Sequence, residues 1–234
     1  MTRTYDQGPH SRAVWESAAA TIREIEGLEF LDQLASGDLD PRAFVQYILQ
    51  DSLYLEGYAK AMSLLAAKAP DPEQGRFWNR SAADAVAVEQ GMHADLLADE
   101  RLAPATAELA PNGQAQPSPT TLGYVSYLIA TVATEPYEVG VTAVLPCFWV
   151  YAHMGKKLVA RAGDLTDNPY APWVRAYDSA EFDASVDEAV ALFERCAVGT
   201  TEAVRARMTD AFGQAMLYEL HFWATAARFQ DWSV

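Results

Sequence analysis

Apolar residues recur every three to four positions along most of this chain, the spacing of one face of an α-helix. Val14, Ala18, Ile22 and Ile25 mark such a face between Ser11 and Glu26. Leu28 to Leu34 predicts a short second helix, closed by Gly37. Asp40-Pro41 pairs an N-cap carboxylate with proline at the first helical position, so a long helix is expected from there to about Lys68. Asp71-Pro72 repeats the device and predicts a helix to about Leu102. From Ala103 to Ser118 the pattern stops, and its prolines and Asn112-Gly113 predict a loop. Ser118-Pro119 then opens a helix to about Thr134, and Glu135-Pro136 another to about Gly163. Asn168-Pro169 starts a short helix, Ser179 a further one, and Thr200 the last, which runs to about Phe229. No stretch sustains the period-2 alternation of a strand. The expected architecture is all-α. Neither side of the 103–118 loop closes a core by itself, so residues 1–234 are expected to form one helical domain.

Charge narrows the partners. The chain has 17 Lys+Arg against 32 Asp+Glu, a formal charge of −15. Nucleic acids and anionic membranes are held by basic surfaces, and the densest basic cluster here is the pair Arg205 and Arg207. Neither partner is expected. The N-terminal run Met1-Thr-Arg-Thr-Tyr-Asp has no apolar core, so no secretory signal is expected. The longest apolar uncharged run, Val139 to Gly155, is short of the roughly 20 residues of a spanning helix. The two cysteines, Cys147 and Cys196, form no CxxC, and the four histidines are scattered. Free thiols in a reducing cytoplasm are expected rather than a disulfide or a zinc site.

Polar residues fall on faces that otherwise read as inward. Tyr47, Asp51, Tyr54 and Tyr58 share one side of the third helix, flanked by Phe44, Ile48, Leu55 and Met62. Asp51 is either a core carboxylate satisfied by a tyrosine hydroxyl or a group that binds something. Pro146 lies inside a helical pattern and is expected to loosen it, with Cys147 next in the chain and Tyr151 one turn on. Cys147 is either a packed core cysteine or a thiol acidified by freed backbone groups. Cys196, after Leu192 and Phe193, reads as structural. Glu219 interrupts the apolar stripe from Met216 to Trp223, so it points outward or is a buried acid. His221 lies roughly 200° round the helix from it and is not its expected partner. Glu89 and His93 are four apart, whereas a di-metal bundle site uses Glu-x-x-His twice. A Gly-rich phosphate loop and a Gly-x-Ser-x-Gly elbow are both lacking.

Several of these segments carry a resemblance. Tyr47-Ile-Leu-Gln-Asp-Ser-Leu-Tyr-Leu-Glu-Gly-Tyr resembles the signature helix of the TenA/thiaminase II family. Leu145-Pro-Cys-Phe-Trp-Val-Tyr-Ala-His resembles its cysteine segment, and Glu219-Leu-His-Phe-Trp its C-terminal segment. Pro119-Thr-Thr-Leu-Gly-Tyr and Tyr170-Ala-Pro-Trp-Val-Arg-Ala-Tyr match in kind and order. The resemblance implies a haem-oxygenase-like all-α fold, usually a homotetramer. It implies hydrolysis at the aminomethyl carbon of a 4-amino-2-methylpyrimidine or of thiamin, with no metal or organic cofactor. It also implies roles: Cys147 as nucleophile, Asp51 as the pyrimidine-binding carboxylate, Glu219 as acid/base, and Tyr54, Tyr124, Tyr151 and Tyr177 as pocket tyrosines.

Two positions depart from the family pattern. Ser52 stands where many members have tyrosine, and His153 where many have glutamate; both bear on the pocket rim or a subunit contact. Cys147 sets the chain apart from a cysteine-less branch. Two other readings remain beside this one: a di-metal oxidase of the same fold using Glu89 and His93, and a non-enzymatic regulatory protein.

Overall fold

The computed structural model describes residues 4–113 and 115–232, with the side chains at 88–90 outside that description. Among the described residues there are helices and no strands. In chain order the helices are α1 (Pro9–Ser17), α2 (Ala19–Glu26), α3 (Glu29–Ser36), α4 (Pro41–Lys68), α5 (Pro72–Asp84) and α6 (Gln90–Leu97). They continue as α7 (Ala103–Leu109), α8 (Pro119–Thr134), α9 (Tyr137–Ala162), α10 (Ala171–Ala176), α11 (Ala180–Gly199) and α12 (Glu202–Ala226).

The starts follow local chemistry. The Asp40 carboxylate accepts from the Arg42 amide at 2.8 Å, and Asp71 accepts from Glu73 and Gln74 at 2.9 Å each. Ser118, Ser179 and Thr201 cap α8, α11 and α12 in the same way. Gly37 ends α3 at φ 83°, a left-handed conformation that favours glycine. Asn168 ties two segments together: its Oδ1 accepts from the Tyr170 amide, and its Nδ2 donates to the carbonyls of Leu34 and Ala35 at the end of α3.

Three expectations change. The helix read from Ser11 to Glu26 breaks at Ala18, whose amide turns back to the Trp15 carbonyl. Val14, Ala18, Ile22 and Ile25 are buried on both sides of the break, so their spacing gave no sign of it. The helix read from Pro72 to Leu102 is interrupted by a π turn at Ala85–Glu89 and ends at Leu97. The 103–118 segment contains α7, because Pro104 sits in the helix's first turn, where a missing N–H costs nothing.

α9 is buried along nearly its whole length and runs through Pro146 without ending. It packs against α12, α11, α8, α3, α10 and α4, which makes it the central helix. Two glycines allow close approaches that bear on the site. A Cβ at Gly57 would lie 2.3 Å from Val125, so glycine there lets α4 close on α8. A Cβ at Gly155 would lie 2.6 Å from the Tyr177 carbonyl oxygen, so α9 touches the backbone after α10. No described helix is long and apolar enough to cross a membrane.

Candidate active site

A cavity of about 470 Å³ opens between α4, α5, α9 and the start of α11. Asp51, Tyr58, Cys147, Tyr151 and Tyr177 line it, with Phe148 and Phe182 supplying apolar wall. A hollow of about 640 Å³ on the outer side of α4 is larger but open, and among the described residues Glu56 and Lys60 are its ionisable side chains. Chemistry therefore concentrates in the smaller, deeper cavity.

Asp51 is 2% exposed, and the inward face read for α4 is the observed one. The Tyr47 hydroxyl donates to Asp51 Oδ2 at 3.4 Å and lies 2.9 Å from the Tyr151 hydroxyl. One proton ordering serves both contacts: Tyr151 donates to Tyr47, and Tyr47 to the carboxylate. His93 Nε2 faces the same Oδ2 at 3.4 Å. The amide of the neighbouring Gln50 holds the start of α8: it accepts from the Ser118 amide and the Thr121 hydroxyl, and donates to the Gln116 carbonyl.

Cys147 is half-buried and reaches the cavity. An acidified thiol was one of its two readings; the structure shows the opposite shift. Burial pushes the thiol well above its usual range and Glu219 adds to this, while the Tyr54 and Tyr58 hydroxyls oppose it. At rest the group is a neutral thiol. Cys196 is half-buried on α11, and burial raises it to about 12.

Glu219 points inward and is 1% exposed. Its pKa is raised to about 8, first by burial and then by Asp51; a hydrogen bond from Tyr124 (2.7 Å) and the nearby Trp223 indole oppose the rise. The stripe position on α12 thus carries a buried acid, and His221 is exposed on another side of the helix. Tyr54 and Tyr124 pack at 4.8 Å between ring centroids, where Gly57 lets α4 and α8 meet. Burial raises the pKa of Tyr54, Tyr124 and Tyr151, so all three remain hydroxyls. Tyr151 packs against Tyr177 at 5.0 Å and Trp223 at 4.9 Å.

All seven singled-out residues thus converge. Asp51, Cys147, Tyr151 and Tyr177 line the cavity, and Tyr54, Tyr124 and Glu219 are buried behind it. Neither departure from the family pattern is among the residues lining the cavity. Ser52 contacts His93 rather than the rim. His153 Nε2 meets Glu26 at 2.6 Å and packs against Trp15, joining α9 to α2 within the chain. His93 turns to Ser52 and Asp51, whereas the side chain of Glu89 lies outside the described residues. Among the described residues no three His, Cys, Asp or Glu side chains group to hold a metal.

An all-helical bundle enclosing a carboxylate, a thiol and a buried acid around tyrosines defines a class: a helical protein with a small-molecule cavity equipped for acid/base and nucleophilic chemistry. Comparison with known proteins gives the family. The model of the TENA/THI-4/PQQC family matches residues 24–229, and the chain belongs to that family. It is 32% identical over 210 residues to an aminopyrimidine aminohydrolase of Bacillus subtilis, covering 87% of this chain and 84% of that one. It is 33% identical over 226 residues to the thiamine biosynthesis multifunctional protein ThiED of Corynebacterium efficiens. That match covers 97% of this chain, which spans only 29% of the Corynebacterium protein. Among solved structures, a TenA homologue from P. horikoshii OT3 superposes with a TM-score of 0.81 at 25% identity, covering 94% of this chain and 98% of that one. A Shewanella denitrificans domain described as having a heme oxygenase-like fold superposes at 0.71 with 14% identity, covering 96% and 94%, a likeness of fold.

Proposed function

We propose that this chain is an aminopyrimidine aminohydrolase of the thiaminase II kind. It would hydrolyse the C–N bond at the CH₂ of a 4-amino-5-aminomethyl-2-methylpyrimidine, or of thiamin, and release the hydroxymethylpyrimidine. The observation that carries the reading is the convergence of Asp51 and Cys147 on one cavity with Glu219 buried behind them. The name of the Bacillus subtilis relative supports the same activity.

Displacing an amine from a CH₂ on an aromatic ring requires the ring to lose its aromaticity for a time. Cys147 Sγ adds to a ring carbon, and the thiol proton ends on the adjacent ring nitrogen. Electrons from the ring's amino group then move through the ring and expel the amine, leaving an exocyclic methylene. Asp51 holds that amino group and balances the positive charge it gains. Glu219, a neutral acid below pH about 8, protonates the departing amine. Water adds to the methylene and gives a proton back to Glu219. The ring then regains aromaticity as the C–S bond breaks and the thiol recovers its proton. The tyrosines pack on the flat ring and orient it.

The same reading extends to a cytoplasmic homotetramer. Exposed Leu64 and Val86 beside the hollow on α4 offer apolar surface to a second copy, and sedimentation measures the assembly.

The test is a panel of thiamin, the aminomethylpyrimidine and its formyl derivative, followed for release of the hydroxymethylpyrimidine. Cys147→Ser is expected to lose several orders of magnitude in kcat with folding intact, as loss of an enzyme nucleophile does. Cys196→Ser is expected to be silent. Parental rates in Cys147→Ser would remove the covalent step.

A further inference from the structure

Behind Asp51 stand two residues that the proposed chemistry leaves unused. Ser52 follows Asp51 on α4, and its hydroxyl donates to the Ile48 carbonyl at 3.0 Å, one turn back. The same oxygen meets His93 Nδ1 at 2.9 Å, a contact in which either atom can supply the hydrogen. That leaves Nε2 as the ring atom facing Asp51 Oδ2. Both His93 and Asp51 are at most 2% exposed, so the contact is shielded from bulk water. Tyr47 reaches the same oxygen. With Oδ2 engaged from behind, Oδ1 is the oxygen left for the cavity.

We propose that His93 and Ser52 are positioning residues for Asp51: Ser52 sets the imidazole, and the imidazole sets the carboxylate against the pyrimidine. This rests on the reading of Asp51 as the ring-binding carboxylate. It also gives Ser52 a function that a tyrosine at that position would not perform in the same way, because the serine oxygen both closes on its own helix and meets the imidazole. The π turn at Ala85–Glu89 lies just upstream on the segment that carries His93. Such turns often stand where a helix has been adjusted beside a site.

A packing role and a positioning role separate by substitution. His93→Leu keeps comparable volume and removes the contact with Asp51. It is expected to lower kcat/KM for release of the hydroxymethylpyrimidine by roughly 10–100-fold, the usual range for a lost hydrogen bond to a charged group. His93→Gln returns a donor toward Oδ2 and should recover most of that loss. Ser52→Ala should cost less, on the order of 3–10-fold, and add nothing to His93→Leu, because both act along one line of contacts. In an Asp51→Asn background, His93→Leu should have no further effect.

Parental kcat/KM in His93→Leu, full additivity of Ser52→Ala with His93→Leu, or an undiminished effect of His93→Leu in the Asp51→Asn background would each overturn the proposal. Should His93→Leu fail to fold, Ser52→Ala combined with His93→Gln is judged by the same additivity criterion. If Asp51→Asn itself keeps parental activity, the assignment of Asp51 fails, and the result is distinct from a fault in His93 alone.

Discussion

A single carboxyl, Glu219, ties stability and activity to pH. Its ordinary value is 4.5 and its value in the fold is about 8. Between these the folded chain keeps a proton that the unfolded chain has lost, so stability falls as pH rises. The contribution is complete below about 4.5 and is lost as pH rises through about 8. Glu219→Gln stays neutral throughout, so its melting temperature should gain on the parent's steadily from pH 5 to pH 8.5. Parallel melting curves over that range would show that folding does not raise the pKa of Glu219 above its ordinary value. In assays, the same variant should slow amine release by roughly 10²–10⁴-fold, the usual yield of acid/base catalysis. Thiamin should suffer less, since its thiazole leaves as a neutral molecule that needs no proton. Equal losses on both substrates would move Glu219 to a shared step. The position of this acid was legible in sequence because Met216 and Trp223 bracket it on one face. The state of Cys147 was not, since its thiol is governed by Glu219 and by burial, neither of which lies near it in the chain. His93 was legible only as a neighbour of Glu89; its contacts with Asp51 and Ser52 cross between helices.

Among the helices, boundaries written in side-chain chemistry were the readable ones. Asp40, Asp71, Ser118 and Ser179 each bond the backbone of the turn they open. The break at Ala18 and the π turn leave the apolar spacing intact, and α7 hides among prolines that are harmless in a first turn. Helix contacts depend on small residues in a way that can be tested. At Gly155 an added methyl meets backbone, the Tyr177 carbonyl, which cannot swing aside as a side chain does. The gain in helix propensity from alanine is about 1 kcal/mol and a clash of this kind costs about 3 kcal/mol, for a net loss of about 2 kcal/mol. Gly155→Ala should therefore lower the melting temperature and, by displacing Tyr177, reduce kcat/KM. Gly213, inside α12, has nothing within 4 Å of an added Cβ. Gly213→Ala should stabilise by about 0.5–1 kcal/mol and leave activity unchanged. A Gly155→Ala protein as stable and active as the parent would show that α9 and the backbone after α10 yield to each other freely.

Over the whole molecule, the excess of acids that argued against nucleic acid in the sequence recurs around the cavity. Asp51, Asp84 and Glu181 line it, and no lysine or arginine does among the described residues. That the acids gather there was not legible from composition, because net charge carries no information about which helix ends meet. Thiamin is a permanent cation, and its arrival would place positive charge near Glu219, favouring the ionised form. Binding should therefore expel part of a proton into solution at neutral pH. Titration calorimetry of thiamin into the Cys147→Ser protein should give more heat in Tris than in phosphate, because Tris releases more heat when it takes up a proton. Identical heats would mean that the buried acid does not sense the ligand's charge. Such release would make thiamin binding proton-linked, with an apparent affinity that rises with pH until that proton is already gone.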